Sequence, residues 1–115
     1  MKVKETPTHY ILDPTNHNIT TTMVDFLTVA VRAIPHNKPC AFDLGSVETC
    51  SNSLFVMFKR FSKEYKLSII NANDKILSSL YLMKFDKFVQ IYSNDVDLVN
   101  NSHEVLNRRF SIVCA

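Results

Sequence analysis

The side chains best suited to chemistry fall in one stretch. Asp43-Leu44-Gly45-Ser46 is followed shortly by Cys50-Ser51-Asn52-Ser53, which groups a carboxylate, a thiol and three hydroxyls. Nucleophilic catalysis would require one of these groups to be activated by a neighbouring base. The histidines, His9, His17, His36 and His103, are all remote from the stretch in sequence, and no GxSxG turn is present. The plainer reading is that Ser46, Ser51 and Ser53 shape a loop and cap a helix. No catalytic residue is assigned. A binding protein is expected rather than an enzyme, with a small enzyme using Asp43 and the adjacent serines as the alternative.

Metal and cofactor chemistry finds little support. No two histidines stand at i and i+4, and Cys40, Cys50 and Cys114 form no CxxC pair. Cys40 belongs to an apolar run and reads as core. Asp43 at a strand end either contributes to a cation site, with Asp13 as a second acid, or caps its loop. The single glycine, Gly45, excludes a dinucleotide fingerprint and a phosphate-binding P-loop in their standard forms, because both need glycines where backbone approaches phosphate. No cofactor and no metal is expected.

These residues are positioned by alternating strand and helix patterns. Residues 3–12 have strand character interrupted by Pro7, which marks a turn or an edge. Thr22 is expected to open a helix, with Asp25 completing a capping box and Met23, Phe26, Leu27, Ala30, Val31 and Ile34 forming its apolar face up to Pro35. Residues 40–44 read as a buried strand. A second helix carries Leu54, Met57, Phe58, Phe61 and Tyr65 inward, with Lys59, Arg60, Lys63 and Glu64 outward. Phe55 and Val56 lie off that stripe and read as an exposed apolar pair suited to a protein interface. Base stacking by Phe55, Phe58 and Phe61 is the weaker reading of the same residues, since their spacing suits a core or a partner contact.

Residues 67–70 form the next strand, and Ile76, Leu77, Leu80 and Met83 a short third helix. Residues 88–92 read as a further strand. Ser93-Asn94-Asp95 can cap a last helix that buries Val96, Val99 and Leu106, and residues 110–113 form a short strand or a loose end. Asn37, Asn73 and Asn94 fill loop and cap positions, where asparagine tolerates left-handed backbone. Alternation of this kind implies a mostly parallel sheet of four to five strands with helices mainly on one face, in a single α/β domain covering 1–115.

Composition fits that frame. The chain has 115 residues, 46% of them hydrophobic, and a net charge of +2, so one globular domain is expected. Arg108-Arg109 is too small a basic cluster for a nucleic-acid footprint. No apolar run is long enough for membrane insertion and the amino terminus lacks the apolar core of a leader. Together with the odd, scattered cysteines, this points to the cytoplasm.

The order of these elements, and several short motifs, resemble a STAS domain, the fold of anti-sigma factor antagonists and of the cytosolic tails of sulphate transporters. The stretch 39–99 carries the likeness. Family members show a strand ending in Asp-Leu, a loop, an Asp-Ser-Ser-Gly segment and a helix; here the run is Phe42-Asp43-Leu44-Gly45-Ser46-Val47-Glu48-Thr49-Cys50-Ser51-Asn52-Ser53-Leu54. They then carry a helix, Gly-Leu-Asp and a strand such as Phe-x-Ile-Tyr, matched by Lys84-Phe85-Asp86 and Phe88-Val89-Gln90-Ile91-Tyr92. The chain departs from the pattern in four places. Ser51 stands at the family's Asp, Asn52 at the phosphorylatable serine, Leu54 replaces the glycine, and the span from Leu54 to Leu67 is about a turn short.

The resemblance implies a regulatory protein-binding module active in transcription control or signalling. Its contact surface would comprise Asp43, Ser46, Ser51, Asn52, Ser53, Phe55 and Val56. Asn52 cannot accept a phosphoryl group, which implies constitutive binding; Ser51 or Ser53 would substitute after a register shift. The implied partner is an anti-sigma factor or GHKL-type kinase, or else the ATPase of a membrane lipid ABC transporter.

Overall fold

A computed structural model describes residues 1–94 and Leu98. The chain opens with a hairpin of β1 (Lys2–Glu5) and β2 (Tyr10–Asp13). Pro7, which cannot donate to a ladder, sits in the connecting turn. Thr6 closes that turn: its hydroxyl donates to the His9 carbonyl at 3.0 Å and accepts from the His9 amide at 2.9 Å. β1 is an edge strand exposed along its length, and Lys2 and Lys4 protect its open side from further pairing.

A two-residue strand β3 (Asn18–Ile19) then leads into α1 (Thr21–Ala33). After β4 (Cys40–Asp43) come a second two-residue strand, β5 (Thr49–Cys50), and α2 (Asn52–Ser62). β6 (Leu67–Ile70), α3 (Asp74–Leu82), a 3-10 turn (Phe85–Lys87) and β7 (Gln90–Tyr92) complete the described elements. The main sheet has the order β1-β2-β4-β6-β7. β1 pairs antiparallel with β2, and every other neighbouring pair is parallel. The expected α/β class and mostly parallel sheet therefore hold, with the first strand making the sheet mixed.

The period-2 alternation of strands decides which face the helices cover. Tyr10, Leu12, Cys40, Phe42, Leu67, Ile69 and Ile91 point one way and share a core with residues of all three helices. Phe42 meets Phe58 of α2 with ring centroids 5.0 Å apart. Each such buried side chain contributes about 1.5–3 kcal/mol relative to exposure. On the other face Ile11, Ala41, Ile70 and Tyr92 form a second cluster with Leu98.

The helices differ in how well their expected faces match. In α2, Leu54, Met57, Phe58 and Phe61 are buried as their spacing predicts, while Tyr65 lies past the helix end. In α1 the phase is rotated. Thr20 rather than Thr22 is the cap, its hydroxyl accepting from the Met23 amide at 3.4 Å. Val24, Leu27, Val31 and Ile34 face the core, whereas Phe26 is 72% exposed. One helical residue is a rotation of about 100°, enough to swing Phe26 from the buried stripe into solvent beside Leu27.

Further down the chain, Asn73 caps α3, its side-chain oxygen accepting from the Ile76 amide at 2.8 Å, while Met83 ends that helix partly exposed. Left-handed backbone occurs at Thr15, Asn71 and Lys84, not at Asn37, Asn73 or Asn94. Phe88 ends the 3-10 turn instead of opening β7. Beyond it, the Leu98 amide bonds to the Asn94 carbonyl at 3.2 Å. Asp95, Val96, Val99, His103, Leu106, Arg108, Arg109, Cys114 and the stretch 110–113 lie outside the described residues. No helix among the described residues is long and apolar enough to cross a membrane.

Candidate functional site

Three parallel strands deliver polar groups to the same sheet edge: β2 ends at Asp13, β4 at Asp43, and Asn71 follows β6. One carboxylate oxygen of Asp43 accepts from the Gly45 amide at 2.9 Å and from the Asn71 side-chain amide at 3.0 Å. A Cβ on Gly45 would lie 3.1 Å from that oxygen, so any larger residue would push the carboxylate by a few tenths of an ångström. Asp13 accepts from the Thr15 amide at 2.9 Å and from the Ser46 hydroxyl at 3.2 Å. Both acids thus fasten loops. Among the described residues, no three histidine, cysteine or acidic side chains converge as a cation site.

Asn73 extends this network. Its amide donates at 3.1 Å to the carbonyls of Val47 and Glu48, tying the β4–α2 loop to the start of α3. The loop is then held against the β2–α1 connection by the parallel pairing of β3 with β5. The His17 carbonyl accepts from the amides of Glu48 and Thr49, and the Ile19 carbonyl from that of Ser51. Two-residue strands are too short to show periodicity, yet this pairing sets the starts of α1 and α2 side by side.

At that junction the Ser53 hydroxyl bonds to those of Ser51, at 2.5 Å, and Thr21, at 3.4 Å. Ser51 occupies the cap position of α2, but its hydroxyl makes no cap bond to the helix backbone. It is engaged sideways with Ser53 instead. Asn52 is the first residue of the helix and is exposed. Neither α1 nor α2 has an acidic residue in its first turn, so the positive ends of both dipoles lack a local counter-charge.

Outward from Asn52 runs an apolar groove of about 330 Å³ between α2 and the segment after α3. Asn52, Phe55, Val56 and Lys59 form one wall; Met83, Phe85 and Phe88 form the other. Val56 is 67% exposed, and Met83 and Phe88 are each more than 40% exposed. Phe55 corrects the sequence reading. It is buried, because its ring packs 6.0 Å from that of Phe85. The far wall is missed by the sequence reading, which assigns Met83 to a helix face and Phe88 to a strand. Its signal is the alternation of lysine with phenylalanine over residues 84–88.

The structure brings Ser51, Asn52, Ser53 and Val56 together at one helix start. Asp43 and Ser46 have their hydrogen bonds within the strand-end network. Neither described cysteine is activated. Burial pushes the thiols of Cys40 and Cys50 up, with Lys75 opposing this at Cys50, and a raised thiol carries little thiolate. His36 stacks on Tyr65 with centroids 3.7 Å apart, beyond the opposite ends of the strands. His9 bonds to Thr8 on the β1–β2 turn; burial and then the charge of Lys66 lower its pKa. No protein-family model matches the chain, and no curated protein matches it.

Proposed function

We propose that this chain is a regulatory protein-binding module of STAS type, similar to an anti-sigma factor antagonist, and that it docks through residues 51–56. One observation carries the reading. The Ser51-Asn52-Ser53 segment stands at an exposed helix start and runs directly into an apolar groove bearing Val56. Exposed apolar surface beside polar groups suits a protein contact. The sheet order and the packing of α1, α2 and α3 on one face of the sheet are compatible with the family's architecture and support the same assignment.

Asn52 removes the phosphorylation switch from this surface. A phosphoserine at this place would add about −1.5 to −2 charges, which disrupts docking on a surface that does not compensate them. Asparagine is neutral and cannot be phosphorylated, so the surface stays competent to bind. The partner that fits this reading is an anti-sigma factor or a GHKL-type kinase.

Affinity capture with the tagged full chain from its native cells tests the proposal. A GHKL-type kinase retained by the wild-type chain and lost with Asn52→Asp or Ser53→Asp supports it. Retention by both variants would move the interface elsewhere. An ABC ATPase recovered in place of the kinase would replace this partner with a transporter. Phosphopeptide mass spectrometry after incubation with that kinase tests constitutive binding, which a phosphoserine at Ser51 or Ser53 would overturn.

A further inference from the structure

The groove beside α2 has a charge pattern as well as an apolar floor. Across Asn52–Ser62 the helix contains Lys59 and Arg60 and no acidic residue. Next to the other wall in sequence, Lys84 and Lys87 flank Phe85 and Lys87 precedes Phe88, with Asp86 the one acid between the lysines. Lys59, Arg60, Lys84 and Lys87 are all exposed. The Lys59 ammonium lies 5.5 Å from the centre of the Phe88 ring, so one cation already spans the groove. Lys59 lines the groove itself, and Arg60, Lys84 and Lys87 are exposed chain neighbours of its lining residues, in a chain whose net charge is only +2.

We propose that the groove binds an acidic amphipathic helix of a partner protein. The inference rests on the protein-binding reading above and assigns the partner's chemistry at that surface. Apolar side chains at i, i+3, i+4 and i+7 would enter between Val56, Met83 and Phe88, the usual way a helix occupies a groove. Glutamate or aspartate on its flanks would face Lys59, Arg60, Lys84 and Lys87. Charge complementarity of this kind speeds encounter and rejects partners of the wrong sign. The floor is concave and its phenylalanines are recessed, with Phe55 and Phe85 buried, which suits inserted side chains better than a flat lipid surface.

Three synthetic helical peptides test this against the isotope-labelled full chain by NMR titration and fluorescence anisotropy. The first pairs a leucine stripe with glutamate flanks, the second has lysine flanks, and the third scrambles the first. The glutamate peptide is expected to bind, shifting the amides of Val56, Met83 and Phe88. Its affinity should fall at least tenfold as ionic strength rises from about 0.01 to about 0.15 M, where the Debye length shrinks from about 30 to about 8 Å. Val56→Asp should abolish binding, Lys59→Glu with Lys87→Glu should weaken it about tenfold, and Phe26→Ser on α1 should leave it unchanged. Thermal melts confirm that each variant is folded.

Equal binding of the lysine or scrambled peptide, no binding of the glutamate peptide, or binding insensitive to Val56→Asp would each overturn the inference. So would Val56-dependent capture by phosphatidylserine vesicles in place of the peptide. A native partner lost with Ser53→Asp but indifferent to Val56→Asp would leave the protein-binding reading standing and remove this one.

Discussion

The hydroxyls of Ser53 and Thr21 lie 3.4 Å apart, although 32 residues separate them in sequence. The contact joins the starts of α1 and α2, and the β3–β5 pairing holds it in place. The positive ends of two helix dipoles therefore meet where α2 presents Asn52.

Asn52→Asp follows from that arrangement. An acidic residue in the first turn of α2 should stabilise the fold by about 0.5–1 kcal/mol, since neither neighbouring helix supplies such a charge. The same change should abolish docking if the segment 51–56 is the contact surface. Stability and binding are expected to move in opposite directions, which denaturant unfolding and a binding isotherm on one preparation would show. Loss of both together would mean that the substitution damages the fold instead.

Asp43 is predicted to act as a loop fastener. Asp43→Ala removes the acceptor for Gly45 and Asn71 and should cost about 1–3 kcal/mol. Gly45→Ala should also destabilise, because the new Cβ lies 3.1 Å from the Asp43 carboxylate. In the Asp43→Ala background that conflict is gone. The double variant should be less damaged than the summed single effects by at least about 0.5 kcal/mol. Strict additivity in the unfolding free energies would refute the coupling.

How legible these features were depends on whether their cause is local. α2 was readable because Leu54, Met57, Phe58 and Phe61 form a single apolar stripe opposed by Lys59 and Arg60. In α1, Met23 and Phe26 offer a second stripe that overlaps the one made by Val24, Leu27, Val31 and Ile34. Docking on α2 and the sheet selects the latter, and no local pattern reveals that choice. The β3–β5 pairing is non-local and too short to carry a period. Phe88 was misassigned because residues 88–92 read as one apolar run, whereas the 3-10 turn takes up its first residue. The helix start at 51–53 was legible; the groove's second wall was not.

The phase of α1 is open to direct measurement. Phe26→Ser should change stability by less than about 0.5 kcal/mol, since the ring is largely in solvent. Leu27→Ala, one residue on, should cost about 2–5 kcal/mol, because it empties a site that is only 3% exposed. Reversal of that order in urea unfolding would restore the face predicted from the sequence.

Ser68 gives the opposite kind of test. It lies on the sheet face away from α1, α2 and α3, paired in register with Ala41, and both residues are fully buried. Its hydroxyl has no hydrogen-bond partner among the described residues. A buried hydroxyl left without any partner costs about 1–3 kcal/mol. Ser68→Ala removes that polar atom and leaves only a small void, so the expected change runs from neutral to about 1 kcal/mol more stable. Thermal unfolding of the two proteins under identical conditions decides it. A clear drop in Tm for Ser68→Ala would mean that the hydroxyl is satisfied in solution, by water or by the chain beyond residue 94.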